Sequence, residues 1–261
     1  MIFIDTHCHL DAPPFTHAMI DSIKKFRQAK VEKIIVPAVS SQNFATIKLL
    51  SQHHEPIYYA LGLHPIYPHN QEDLVLLEHM LENLPPKLVA IGETGLDNYI
   101  SNANLAQQQQ YLLRQFEFAK QYHLPMILHS RKTHALLYVL LKQAKLPNKG
   151  VIHGFSGSYE QAMQFIRLGF YIGVGGIISY QRANKTRNAI SRIPLEYIVL
   201  ETDAPDMPLS GYQGQPNRPE NVAKVFDILV SLRSESAEHI QNTILTNTLT
   251  LFPRINTMNT I

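Results

Sequence analysis

The opening segment MIFIDTHCHL places His7 and His9 one residue apart, directly after a short apolar run. Residues two apart in an extended backbone point to the same side, so both imidazoles can face one ion while Cys8 points elsewhere. Neutral imidazoles are ligands of zinc and similar divalent ions. The pair therefore predicts part of a metal site, if further ligands end neighbouring strands.

Polar side chains of the same kinds follow five other apolar runs, in the motifs GLHP, GETGLD, LHSR, IHGFSGS and LETDAP. Imidazoles and carboxylates at six strand ends exceed what one tetrahedral ion needs, but two ions sharing a carboxylate would use them. That many buried polar groups would be costly if they were left unpaired. The side chains that these motifs add are His64, Glu93, Asp97, His129, Arg131, His153, Glu201 and Asp203, and Asp206 follows the last motif directly.

The apolar runs themselves number eight and are nearly continuous in hydrophobicity, as is typical of parallel strands covered on both faces. The predicted strands are residues 2–5, 33–37, 57–62, 88–92, 126–129, 150–154, 170–175 and 197–201. Helical patterns lie between them, including residues 104–123, a capping box from Ser158 to Gln161, and a helix start after Asn217.

This alternation predicts a (β/α)₈ TIM barrel formed by one domain over residues 1–261, with a further helix on the outside after residue 235. An open, doubly wound sheet is the alternative. In a barrel the carboxyl ends of all strands meet at one rim, where the active sites of this fold lie. The barrel would therefore bring the polar motifs together.

Composition limits the functional class. The chain has 261 residues, of which 23 are basic and 21 acidic, which argues against a strongly basic nucleic-acid coat. A single cysteine excludes an intrachain disulfide, and the short apolar stretch before Asp5 does not resemble a signal peptide. No run approaches the length of a membrane span. We therefore expect a cytoplasmic protein with no membrane association.

The motifs DTHCHLD, GETGLD, HSR, HGFSGS and ETDAP resemble those of the TatD family of metal-dependent hydrolases, from residue 2 to about residue 250. The resemblance implies two divalent metal ions, either zinc, magnesium or manganese, and a rim histidine, His64, that contacts substrate. Gly154 stands where relatives commonly have cysteine. The ligands implied are His7, His9 and Asp203 for one metal, Glu93 as a bridge, and His129 and His153 for the other.

Such a centre would polarise an ester and lower the pKa of water, and Asp203 is the candidate general base beside the first metal. Glu93, as the bridge, is the second residue expected to be catalytic. Glu201 points the same way from its strand end, and is either a partner of a ligating histidine or a residue of the barrel interior bonded to a neighbour.

Arg131 would hold a substrate phosphate through two hydrogen bonds, or form a salt bridge to Asp97 or Asp206. The GFSGS segment is either a helix N-terminus that binds phosphate or a simple tight turn. The loop SYQRANKTRN carries Tyr180 and several basic residues, which suits a single nucleic-acid strand. A solvated helix start explains the same loop.

The leading functional hypothesis is a deoxyribonuclease that cleaves phosphodiester bonds of DNA. The alternatives are a hydrolase of another ester or amide on the same metal centre, such as an aminoacyl-tRNA deacylase, and a non-enzymatic barrel that binds a partner. All six implied ligands are present, which counts against the last. The sequence does not determine the oligomeric state, for which a monomer is favoured.

Overall fold

A computed structural model gives the structure of residues 1–255. Eight strands lie in chain order, and each pairs with the next in parallel. All eight predicted strands are confirmed. They are β1 (Phe3–Asp5), β2 (Val31–Pro37), β3 (Ile57–Leu61), β4 (Leu88–Asp97), β5 (Met126–Arg131), β6 (Gly150–Ile152), β7 (Tyr171–Val174) and β8 (Ile198–Leu200).

Helices separate the strands and surround them. The capping box at Ser158 and Gln161 opens one of them as predicted, and residues 104–123 correspond to another, which His123 ends in a left-handed conformation. The helices are α1 (Met19–Gln28), α2 (Phe44–His53), α3 (Gln71–Leu81), α4 (Leu105–Tyr122), α5 (His134–Ala144), α6 (Tyr159–Arg167), α7 (Asn184–Arg192), α8 (Val222–Leu232) and α9 (Ala237–Leu251). In this part of the chain no helix is long and apolar enough to cross a bilayer.

The first and last strands meet through backbone hydrogen bonds just beyond their ends. The Thr6 N–H donates to the Leu200 carbonyl at 3.1 Å, and the Asp203 N–H donates to the His7 carbonyl at 2.9 Å. The buried Asp5 carboxylate adds a bond from the Thr202 hydroxyl at 2.6 Å. These contacts bring the ends of the sheet together, so the fold is a (β/α)₈ TIM barrel and not an open sheet.

Successive side chains of each strand point to opposite faces of the sheet, which explains the continuous apolar runs. In β2, Ile34 and Val36 belong to the large apolar cluster between sheet and helices, whereas Ile35 belongs to a second cluster inside the barrel. In β3, Tyr59 and Tyr58 divide in the same way. Both faces of each strand are therefore buried, which requires apolar residues at consecutive positions.

The amino-terminal mouth of the barrel is closed by the segment after α9. Phe252 and Ile255 are fully buried within the inner apolar cluster. The Arg254 guanidinium donates to the Leu88 carbonyl at 2.6 Å and to the Pro85 carbonyl at 2.9 Å. The chain thus fills this mouth itself, and the polar motifs lie at the other one.

Candidate metal centre

The six predicted ligands converge at the carboxyl-terminal mouth of the barrel. Four of them lie just after their strands, but Glu93 and His129 lie within strands. β4 extends to Asp97, beyond the predicted end at residue 92, because the GETGLD motif continues to pair with β5. The ligand candidates are His7 and His9 after β1, Glu93 in β4, His129 in β5, His153 after β6 and Asp203 after β8.

One glycine makes this extension possible. Gly95 has a φ of 149°, and a Cβ atom at this position would overlap the His129 backbone of β5. Only glycine therefore lets β4 approach β5 so closely beside two candidate ligands.

The first donor set surrounds a common point. The His7 Nε2 atom lies 3.2 Å from His9 Nε2, 3.1 Å from Glu93 Oε2 and 3.4 Å from Asp203 Oδ1. His9 Nε2 lies 3.6 Å from the same Glu93 oxygen and 3.7 Å from the same Asp203 oxygen. Ligand bonds of about 2.0–2.2 Å around a tetrahedral zinc ion give donor separations of about 3.3–3.6 Å. The donor set therefore fits one divalent ion.

The second donor set faces the other oxygen of the same carboxylate. Glu93 Oε1 lies 2.7 Å from His153 Nε2, 2.9 Å from His64 Nε2 and 3.2 Å from His129 Nδ1. His129 Nδ1 and His153 Nε2 are 3.3 Å apart. Each Glu93 oxygen thus faces its own group of donors, as a bridging carboxylate would. The two groups adjoin, since donor atoms of His7, His153 and Asp203 also lie within 4.8 Å of one another.

The electrostatics of the cluster favour bound positive charge. Burial would raise the pKa of Glu93, but His153, His64 and His7 outweigh it and hold that pKa well below its usual value. Burial would lower the pKa of His153, but Glu93 above all raises it to about 10. Burial raises the pKa of Asp203 to about 6. These buried carboxylates stabilise cations, and divalent ions are the cations that imidazole donors can also bind.

The Asp97 carboxylate contacts the His129 ring, although the sequence predicted no role for Asp97 in the metal site. Asp97 Oδ2 lies 2.8 Å from His129 Nε2, on the side of the ring opposite the donor atom Nδ1. The Tyr99 N–H donates to the other Asp97 oxygen at 2.7 Å. A carboxylate in this position fixes the orientation of a ligating imidazole. The four-residue spacing from Glu93, which keeps both on one side of a strand, could have indicated it.

Glu201 corresponds to the second of its two predicted roles, a residue of the barrel interior bonded to a neighbour. Its Oε1 atom accepts a hydrogen bond from the Gly154 N–H, and it lies 3.8 Å from His153 Nδ1, too far for a direct hydrogen bond. Burial raises the pKa of Glu201 to about 7. Glu201 is therefore a residue of the barrel interior that holds the backbone beside a candidate ligand.

His64 lies closer to the cluster than a rim position suggests. The Ile66 N–H donates to His64 Nδ1 at 3.3 Å, so the hydrogen-bond network assigns the proton of a neutral ring to Nε2. That atom then donates to Glu93 Oε1. In this tautomer His64 supports the Glu93 carboxylate, whereas the other tautomer would let it join Glu93 and His129 around a metal ion.

Arg131 lies on the wall of a cavity of about 720 Å³ above the cluster. Its guanidinium stacks 3.6 Å from the centre of the Tyr99 ring, and Lys132 Nζ lies 4.6 Å from the same ring. Within residues 1–255, Arg131 forms no ion pair with Asp97 or Asp206. Both cations are exposed to solvent in the cavity, where an anion can reach them.

Comparison with known proteins agrees with this geometry. Residues 4–253 match the family described as TatD related DNase. The metal-dependent hydrolase YjjV of Escherichia coli K12 is 52% identical over 252 residues, covering 96% of this chain and 97% of YjjV. The YjjV crystal structure has a TM-score of 0.95 at 51% identity, covering 96% of this chain and 98% of the other.

More distant relatives extend over the same length. A metal-dependent hydrolase of Haemophilus influenzae is 45% identical over 261 residues, covering 97% of this chain and all of that protein (100%). Human TATDN3, which is named a deoxyribonuclease, is 30% identical over 266 residues, covering 97% of this chain and 95% of its own. The resemblance in the motifs and the likeness in fold thus have the same source, and the chain belongs to the TatD family of metal-dependent hydrolases.

Proposed function

We propose that this protein is a deoxyribonuclease that hydrolyses phosphodiester bonds of DNA at a centre of two divalent metal ions. The observation that carries the proposal is the division of the Glu93 carboxylate between two donor sets, His7 with His9 and His129 with His153. Exposed cations beside this centre and the deoxyribonuclease name of human TATDN3 favour a phosphate substrate. All donors come from one chain, so a monomer would suffice.

Each residue of the cluster has a proposed role. His7, His9 and Asp203 would hold one ion, His129 and His153 the other, and Glu93 both. Ions bound there would polarise the phosphodiester, lower the pKa of the attacking water and stabilise the leaving oxygen.

Asp203 accepts the proton of the attacking water in this proposal. Its Oδ1 atom faces the first donor set, and its backbone N–H is fixed by the His7 carbonyl at 2.9 Å. A base held this rigidly needs little reorganisation during proton transfer.

Arg131 and Lys132 orient the phosphate. An Arg guanidinium can donate two parallel hydrogen bonds to phosphate oxygens, and the Tyr99 ring beneath it limits its conformations. Arg131, Lys132 and Asp203 line the same cavity. A phosphate bound by the two cations would therefore also face Asp203.

The proposal is tested with metal-free protein that is reloaded with Mg²⁺, Mn²⁺ or Zn²⁺ and incubated with end-labelled single-stranded DNA. We expect cleavage with at least one metal, loss of cleavage with a chelator, and about two ions per chain by elemental analysis. Glu93→Ala is the inactive control. Intact DNA together with cleavage of a carboxylic ester, an aminoacyl-tRNA or an amide would show that the same centre serves a different hydrolase.

A further inference from the structure

A second cavity continues from the metal-centre cavity along the rim. It has a volume of about 570 Å³ and lies between the segment after β7 and the segment after β8. Ser156, Ile177 and Met207 line both cavities, so the two are adjacent on the same rim. A ligand longer than one cavity can therefore extend from the metal centre into the second.

The charge of this second cavity is of one sign. Its charged lining residues are Arg182 and Lys185, and both are exposed. In residues 1–255, neither forms an ion pair with a carboxylate. By contrast, the first cavity carries charges of both signs, which come from Glu93, Asp97, Asp203, Asp206, Arg131 and Lys132. The second cavity thus presents uncompensated positive charge next to a site built for metals.

The walls that carry these cations are fixed. The Tyr180 hydroxyl donates to the Pro208 carbonyl at 2.7 Å, which ties the two rim segments together. Arg187, which belongs to the same basic loop, donates to the Ile178 carbonyl and is used to hold the backbone. The Arg182 guanidinium lies 5.0 Å from the centre of the Tyr180 ring. A half-buried aromatic ring with a cation beside it is a surface on which a nucleic-acid base can stack.

We infer that this groove binds the part of a single-stranded DNA substrate that lies next to the cleaved phosphate, with Arg182 and Lys185 contacting its backbone phosphates and Tyr180 supporting a base. The inference rests on the proposed function and adds a location to it. Continuity with the metal-centre cavity, unpaired positive charge and a fixed aromatic ring are the three features that a groove for an unpaired strand requires.

The test uses the metal-loaded protein and phosphorothioate DNA that resists cleavage, measured by fluorescence anisotropy at several salt concentrations. The variant Arg182→Ala/Lys185→Ala should bind a strand of about twelve nucleotides about tenfold more weakly than the wild type. Its plot of log Kd against log salt should be shallower by about 1.4, from about 0.7 per phosphate contact. Hydrolysis of an unmodified dinucleotide should be affected less than binding of the longer strand, because a dinucleotide has no backbone phosphate besides the cleaved one for Arg182 and Lys185 to contact.

The matched control is Arg167→Ala/Lys142→Ala. These residues are also an exposed Arg and Lys, but they lie in the last turns of α6 and α5, at the opposite mouth of the barrel. We expect wild-type binding from this control. If both double variants weaken DNA binding equally, or if the first does not weaken it, the proposed groove is overturned but the proposed nuclease function is not. A wild-type protein that neither binds nor cleaves DNA overturns both proposals.

Discussion

The two mouths of the barrel are built from the same eight strands but are filled in opposite ways. At the amino-terminal mouth, Phe252 and Ile255 pack against inward-facing side chains such as Val89 and Ile127, all fully buried. At the carboxyl-terminal mouth, the equally buried His7 and the nearly buried Glu93 take the place of apolar side chains. One barrel interior therefore changes from a packed apolar core to a polar cluster along its axis.

The two mouths also differ in the polar groups that they bury. At the amino-terminal mouth, Arg254 donates to the Leu84, Pro85 and Leu88 carbonyls at strand β4 and its approach. At the carboxyl-terminal mouth, His7 Nδ1 and Glu201 Oε2 are buried without a hydrogen-bond partner in residues 1–255. Buried polar atoms without a partner cost free energy, and these two lie beside the candidate metal centre, whereas Arg254 satisfies backbone carbonyls at the apolar mouth.

The largest expected effect tests the polar mouth. Glu93→Ala removes the carboxylate that faces both donor sets, so we expect kcat/KM to fall on the order of 10⁴-fold, or about 5.4 kcal/mol in transition-state stabilisation. The metal content should fall for both ions, as measured by elemental analysis.

The same variant should leave the fold intact. Circular dichroism of the metal-free protein at low temperature provides the control, because removal of this side chain opens no apolar cavity. The denaturation midpoint should fall, since the buried His153 loses its carboxylate partner. A Glu93→Ala protein that keeps two ions and full activity would show that Glu93 does not bridge two ions.

The next prediction concerns the apolar mouth. Phe252→Ala leaves a cavity in the inner cluster, so we expect a loss of about 3–5 kcal/mol in the free energy of unfolding. The activity per folded molecule at low temperature should change less than twofold, because the metal cluster lies at the other end of the strands. Urea denaturation and kinetics on the same sample measure both quantities. A large loss of activity in the fully folded variant would mean that the two mouths are coupled.

Much of this comparison could be predicted from the sequence. The eight apolar runs gave the strands because parallel strands buried on both faces need consecutive apolar residues. The expected helix after residue 235 is α9. The segment after α9 that closes the amino-terminal mouth, residues 252–255, was not predicted, since the sequence of a short apolar segment does not say which mouth it enters.

The candidate site could likewise be predicted only in part from the sequence. The convergence of His7, His9 and Asp203 follows from the barrel topology, because their segments follow adjacent strands, β1 and β8. The orientation of Glu93, with one oxygen toward each donor set, depends on rotations that only packing decides. The role of Asp97 depends on the register of β4 and β5, which pairs Gly95 with His129.

A smaller effect is expected from Asp97. Asp97→Asn keeps the size of the side chain but removes the negative charge behind His129, so we expect metal affinity to fall by about 10–100-fold. Titration of the metal-free protein with Zn²⁺ measures this change. The denaturation midpoint in the presence of a chelator should move little, which separates an orienting role from a structural one. Unchanged affinity would mean that Asp97 serves only the backbone at Tyr99.

The smallest effect concerns the polar mouth alone, where it compares the proposed metal ligands with a residue that supports one of them. His64→Ala removes a side chain that lines the metal-centre cavity and is predicted to contact substrate, so we expect KM for DNA to rise about tenfold, equivalent to about 1.4 kcal/mol. The metal content should stay near two per chain, because His64 Nδ1 accepts from Ile66 and its Nε2 carries the proton. Loss of an ion from this variant would place His64 among the ligands instead and extend the metal-binding set to a sixth strand end.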